Sequence, residues 1–199
     1  MKKRISLSFV VCATFLASGC SSVSLKTGNS NSSSNSDASI NNGVSNGTSG
    51  SLGSSSGTKS TNTSNEAVKR HNEIRAEVFS GSKMTWNDSL ALSAQSHADK
   101  LAKENAFYHS NSNYGENLYA HSSKGVSYVK AIDSWYSEKA DYNTKTKTCN
   151  TGKTCGHYTQ MIWENSTELG CGTSSSATWG TIVVCQYNPP GNYTGQKPY

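Results

Sequence analysis

No stretch of this sequence is apolar for long enough to cross a bilayer as a helix. The longest, Ile5 to Ala17, falls short of the roughly 20 residues that a span requires. A basic stripe with interleaved aromatics is missing too, although the formal net charge of the 199 residues is +5. Lys2, Lys3 and Arg4 carry three of those charges, and Lys26 and Lys59 against Asp37 add one, which leaves +1 over residues 66–199. That distribution argues against a nucleic-acid partner. The same C-terminal region contains neither a G-x-S-x-G elbow nor an H-E-x-x-H helix, so two common hydrolase signatures are lacking. There is no internal repeat.

What is present divides the chain unevenly. Lys2, Lys3 and Arg4 followed by the short apolar stretch form an export signal. It ends in Leu16-Ala17-Ser18-Gly19-Cys20, which resembles the bacterial lipobox, where small residues precede a cysteine that is acylated and becomes the mature N-terminus. Residues 1–19 therefore read as a lipoprotein-type signal peptide and Cys20 as a lipidation site. From Ser21 to about Asn65 the chain is almost wholly Ser, Gly, Asn and Thr, too polar to offset the entropy of ordering it. As a coil of that length it spans roughly 35–40 Å and tethers residues 66–199, the one expected domain, to a membrane. That domain keeps four cysteines, Cys149, Cys155, Cys171 and Cys185. In an exported chain an even number points to two disulfides, with three pairings open. Zinc ligation is the weaker reading, because Cys171 and Cys185 lack the tight spacing of a ligand pair.

Helical periodicity marks Glu66 to Val78, a second segment capped by Asn87, Asp88 or Ser89, a third from Val126 to Lys139 and a short one from His157 to Trp163. Glu168 to Thr173 and Trp179 to Tyr187 are rich in β-formers and flank the turn-like Ser174-Ser175-Ser176. The expected fold class is α+β, an α-β-α sandwich in which helices flank a small antiparallel sheet.

Four segments are more specific than this pattern. Gly156-His157-Tyr158-Thr159-Gln160-Met161-Ile162-Trp163-Glu164-Asn165-Ser166 and Ile182-Val183-Val184-Cys185-Gln186-Tyr187-Asn188-Pro189-Pro190-Gly191-Asn192-Tyr193 match two signatures of the CAP superfamily. His71-Asn72-Glu73-Ile74-Arg75 and Gly115-Glu116-Asn117-Leu118 match its two shorter motifs, and all four stand in family order. The chain thus resembles the cysteine-rich secretory and pathogenesis-related class 1 proteins, in a bacterial lipoprotein form. The resemblance implies bridges Cys149–Cys155 and Cys171–Cys185. A third family bridge is absent as a unit, since neither the residues before His109 nor Ser174 to Ser176 supply a cysteine.

The resemblance also places His109, Glu116, Glu138 and His157 in a cleft able to hold a divalent ion such as zinc, for which two imidazoles and carboxylates are a suitable donor set. The alternative is a hydrogen-bonded cluster that fixes the fold. His71 reads as a buried hydrogen-bonding residue, His97 as part of an outlying helix and His121 as a loop residue. Tyr158, Gln160, Trp163 and Tyr187 read as scaffold, and Gly115, Gly156 and Gly191 as sites of positive φ or close approach. No catalytic residue is assigned. The functional expectation is an exported, surface-tethered, non-enzymatic binding module for a lipid, a sterol or a protein. The alternative is a protease-like hydrolase, which needs an activated serine or a metal-bound water.

Overall fold

The computed structural model describes residues 57–199, so the leader, Cys20 and most of the polar segment lie outside the described residues. Helix α1 spans Gly57–Ala76 and buries Ala67, His71, Ile74 and Arg75 along one face. It begins nine residues before Glu66, where the polar segment was expected to continue as coil. Ser64 is buried in this extension. Once the following turns are docked, each added residue costs only propagation and not nucleation, so poor helix formers are tolerated.

Strand β1, Thr85–Trp86, leads into α2, Asp88–Glu104. Of the three candidate caps, Asn87 is the one used: its side chain accepts from the Leu90 amide at 3.1 Å. Leu90, Ala94, His97, Ala98 and Leu101 are the buried face of α2, as their spacing predicts. Strand β2, Gly115–His121, was legible only as a motif, and it makes His121 a strand residue and not a loop residue. Helix α3 runs from Tyr128 to Tyr136 and then tightens into a 3-10 turn, Ser137–Asp141, where a single helix to Lys139 was expected. At the switch the Ser137 hydroxyl bonds back to the Ser134 carbonyl at 2.6 Å, a bond that competes with regular helical pairing. A small hairpin of β3, Tyr142–Asn143, and β4, Thr148–Cys149, precedes α4, Gly156–Met161.

Strands β5, Glu168–Ser176, and β6, Gly180–Asn188, form the centre of a four-stranded sheet ordered β1-β5-β6-β2. The sheet is antiparallel except that β1 runs parallel to β5. Ser174 to Ser176 belong to β5 and do not form the turn. Buried Ser176 instead accepts the amides of Thr178 and Trp179, closing the turn one step later.

The two sheet faces carry different cores. On one, Val183, Cys185 and Tyr187 pack with Ile74, Ile132, Trp135 and Met161 from α1, α3 and α4. On the other, Leu118, Ile182 and Val184 meet Ala94, Ala98 and Leu101 of α2. The architecture is the expected α-β-α sandwich. Contact with α2 is so close that a Cβ added at Gly172 would lie 2.3 Å from the Gln95 backbone.

Both disulfides form as the family resemblance implied, Cys149–Cys155 and Cys171–Cys185. The second joins directly opposed residues of β5 and β6. On the chain-entropy estimate its loop contributes roughly 3 kcal/mol.

One charge sits inside the first core. Arg75 is 2% exposed, and its guanidinium donates to the carbonyls of Met161, Trp163, Ser82 and Glu164 at 3.1, 2.7, 2.9 and 3.1 Å. It thereby satisfies carbonyls at and just beyond the end of α4, which the short helix leaves open.

Candidate functional site

The four residues singled out in the sequence form two pairs. His109, in the segment after α2, donates from Nδ1 to Glu116 Oε1 on β2 at 2.9 Å. His157, in the first turn of α4, donates from Nδ1 to Glu138 Oε1 in the 3-10 turn at 2.6 Å. Glu116 lies opposite Gln186 in the β2–β6 register, on the α2 side shared by Leu118 and Val184. The next residue, Asn117, points to the other side and donates to the His157 carbonyl at 3.0 Å. Both pairs therefore lie at the outer strand of the sheet.

Each carboxylate is heavily used. Glu116 accepts His109 Nδ1 and the Ser110 amide on Oε1, then the Ser110 hydroxyl and Gln186 Nε2 on Oε2. Burial raises its pKa, but the bonds from His109, Gln186 and Ser110 outweigh that and hold it below the usual carboxylate value. Glu138 Oε2 accepts the amides of His157 and Tyr158, 3.0 and 3.1 Å away. It caps α4 and orients its histidine at once. Tilted against Trp135 by only 19°, the His157 ring is further restrained by stacking, and Trp135 is itself pinned by a bond from Nε1 to the Leu118 carbonyl.

A buried relay continues from Asn117. Its Nδ2 also donates to the Tyr187 hydroxyl at 3.1 Å, and that hydroxyl lies 3.0 Å from His71 Nε2. His71 Nδ1 is 2.9 Å from the Ala67 carbonyl, which can only accept. The proton therefore sits on Nδ1, and Tyr187 donates to Nε2. Complete burial lowers the His71 pKa to about 4, so the ring is neutral, in keeping with the hydrogen-bonding role expected of it. Through this chain α1, β6 and β2 meet the backbone of α4.

His97 is not remote, as its place on an outlying helix implied. Its Nε2 bonds the Tyr108 carbonyl at 2.8 Å, one residue before His109. Ser110, Asn117 and Gln186 were not recognised as partners of the site. Their only sequence signal was adjacency to His109, to Glu116 and to Cys185. Gln160 holds the motif segments together. Its Oε1 accepts the Gly191 amide at 3.0 Å, and a Cβ at Gly115 would lie 2.3 Å from the same oxygen.

A cavity of about 360 Å³ opens beside His157 and Glu138, bounded by Phe107, Leu118, Ala120 and Trp135. Carboxylates bonded to Nδ1 are the arrangement usual for metal-binding histidines, since it leaves Nε2 as the ligating nitrogen. Yet no three His, Cys, Asp or Glu groups come close enough to enclose an ion among the described residues. Imidazole and carboxylate are donor types suited to a divalent ion, but the described residues do not form a closed four-ligand cage.

Residues 68–187 match the family model described as CAP, the cysteine-rich secretory protein family. Pathogenesis-related protein 1 of Arabidopsis thaliana is 44% identical over 138 residues, covering 69% of this chain and 83% of that protein. Pathogenesis-related protein 1A of Nicotiana tabacum is 40% identical over the same share of this chain and 82% of its own. Among solved structures, NaASP2 with Zn2+ aligns at a TM-score of 0.57 and 25% identity over 69% of this chain and 84% of that one. Na-ASP-1 gives the same TM-score at 26% identity, and there the match spans only 41% of the longer chain. The motifs, the two bridges, the sandwich and these relatives agree: the chain belongs to the CAP, or cysteine-rich secretory, protein family.

Proposed function

We propose that this protein is a non-enzymatic binding module, exported and lipid-anchored at Cys20, which holds a divalent ion such as zinc between His109 and His157. Its ligand is a lipid or sterol, or an apolar group of a protein partner, received in the cavity beside His157. The observation that carries the non-enzymatic reading is the order of groups at Glu116. The carboxylate sits between His109 and Ser110 and binds both. A serine hydrolase needs the histidine in the middle, so that it can take the hydroxyl proton while the acid steadies its far nitrogen. Here the acid consumes the hydroxyl. Support for the metal comes from two histidines each held at Nδ1 by a carboxylate, and from the structurally similar NaASP2, whose structure is with Zn2+. When present, the ion would offer a Lewis-acidic coordination point. Glu116 and Glu138 then act as positioning groups and not as ligands.

Native mass spectrometry of the full-length protein, with and without zinc, tests the site. One zinc per chain is expected for the wild type and none for His109→Ala/His157→Ala, with His121→Ala unchanged. Equal zinc occupancy in the double variant overturns the metal assignment. The anchor is tested separately by fractionating cells that express Cys20→Ser. The variant is expected to leave the membrane fraction or retain its leader, and unaltered attachment with normal processing refutes lipidation.

A further inference from the structure

We infer that a second cavity, between the Cys149–Cys155 loop and the segment from Asn192 to Pro198, binds a small organic anion with an apolar or aromatic body. The cavity encloses about 570 Å³, within the range of small-molecule sites. Lys147, Lys153 and Lys197 line it, and no Asp or Glu does. Between them lie the flat apolar surfaces of Tyr142, Trp163 and Tyr193 and the disulfide itself. Cationic groups beside apolar and aromatic surface complement a ligand that carries both an anionic group and an apolar body.

The lysines are held in place. Lys147 Nζ donates to the Tyr199 backbone oxygen at 2.7 Å and lies 4.4 Å from the centroid of that ring. Lys197 Nζ donates to the Thr146 carbonyl at 3.0 Å. A carbonyl orients an ammonium without neutralising it, so the Lys197 charge is still there for a ligand. Only Lys153 has a side-chain carboxylate partner, Asp141, at 3.3 Å. This cavity shares Lys153 and Thr154 with the one beside His157 but contains neither His109 nor His157. The inference goes beyond the zinc reading and stands or falls apart from it.

The probe is 8-anilinonaphthalene-1-sulfonate, compared with N-phenyl-1-naphthylamine, which has the same aromatic body and no charge. With full-length protein, the sulfonate is expected to bind saturably and to weaken as salt is added. The Lys147→Gln/Lys197→Gln variant should bind it about tenfold more weakly. Lys145→Gln, outside the cavity, should not change it, and His109→Ala/His157→Ala should retain it. Binding of the uncharged probe should be indifferent to the lysine substitutions. No saturable sulfonate binding by the wild type, unchanged affinity in the double lysine variant, or equal loss of both probes overturns the inference. Should the double variant misfold, Lys197→Gln alone decides, since that exposed side chain holds only a carbonyl; about a threefold loss is expected and no loss refutes the site.

Discussion

Replacing Arg75 by Met is expected to destabilise the protein by roughly 3–5 kcal/mol, a large part of the roughly 5–15 kcal/mol that ordinary domains have. The substitution roughly preserves volume and removes a buried charge, so a first guess would make it harmless. The four carbonyls decide otherwise. Those of Met161, Trp163, Glu164 and Ser82 all turn toward the guanidinium, and without it the two buried acceptors, on Met161 and Trp163, lose their donor, each at about 1–3 kcal/mol before relaxation. Burial lowers the Arg75 pKa to about 10, which still leaves the cation fully charged at neutral pH. Arg75→Lys should recover part of the loss, since one ammonium cannot span the fork. Arg70→Gln is the contrast, because that residue bonds Asp133 and Glu73 at the surface, where about 0–1 kcal/mol is at stake. Urea midpoints of the variants check the ordering. A loss below about 1 kcal/mol for Arg75→Met would refute it.

Acid should weaken the protein before its carboxylates titrate, through His71. Burial lowers its folded pKa to about 4 from 6.5. Between those values the unfolded chain binds a proton that the folded chain refuses, so stability falls as pH drops through this window. The full difference is roughly 3 kcal/mol, complete near pH 4. Glu116 acts lower, because its folded pKa is held below 4.5 and its contribution is lost only as pH falls through that folded value. His71→Gln should be less stable at pH 7, since it breaks the bond to Tyr187, yet lose less between pH 6.5 and 4. Parallel slopes for wild type and variant in urea titrations would assign the acid sensitivity elsewhere.

Much of the fold was legible in the sequence because its signals are local. The spacing of Leu90, Ala94, Ala98 and Leu101 and the cap at Asn87 define α2 without reference to anything distant. The β-formers of Ile182 to Tyr187 do the same for β6. Strand β2 carries no such mark, since Gly115, Glu116 and Asn117 are poor strand formers that are extended only because β6 lies beside them. The site shows the same divide. Motif matching found both histidines and both glutamates, but not that each glutamate is committed to backbone amides and a histidine ring. Those commitments depend on Ser110, Gln186 and Tyr158, which the fold brings to the carboxylates. The link from His71 to Tyr187 spans 116 positions, beyond any periodicity argument.

The strand order has a consequence for how the chain folds as it is made. The two central strands, β5 and β6, follow every helix in sequence, while β1 and β2, which border them, come first. A chain delivered from its N-terminus, whether by a ribosome or through a translocation pore, presents the rims of the sheet before its middle. Neither β1 nor β2 has its partner strand in the sheet, and α2 lacks the strands it packs on, until residues 168–188 have emerged. Premature folding is thus blocked by topology alone. The polypeptide stays open up to the moment at which its last hairpin, the one clamped by Cys171 and Cys185, is complete.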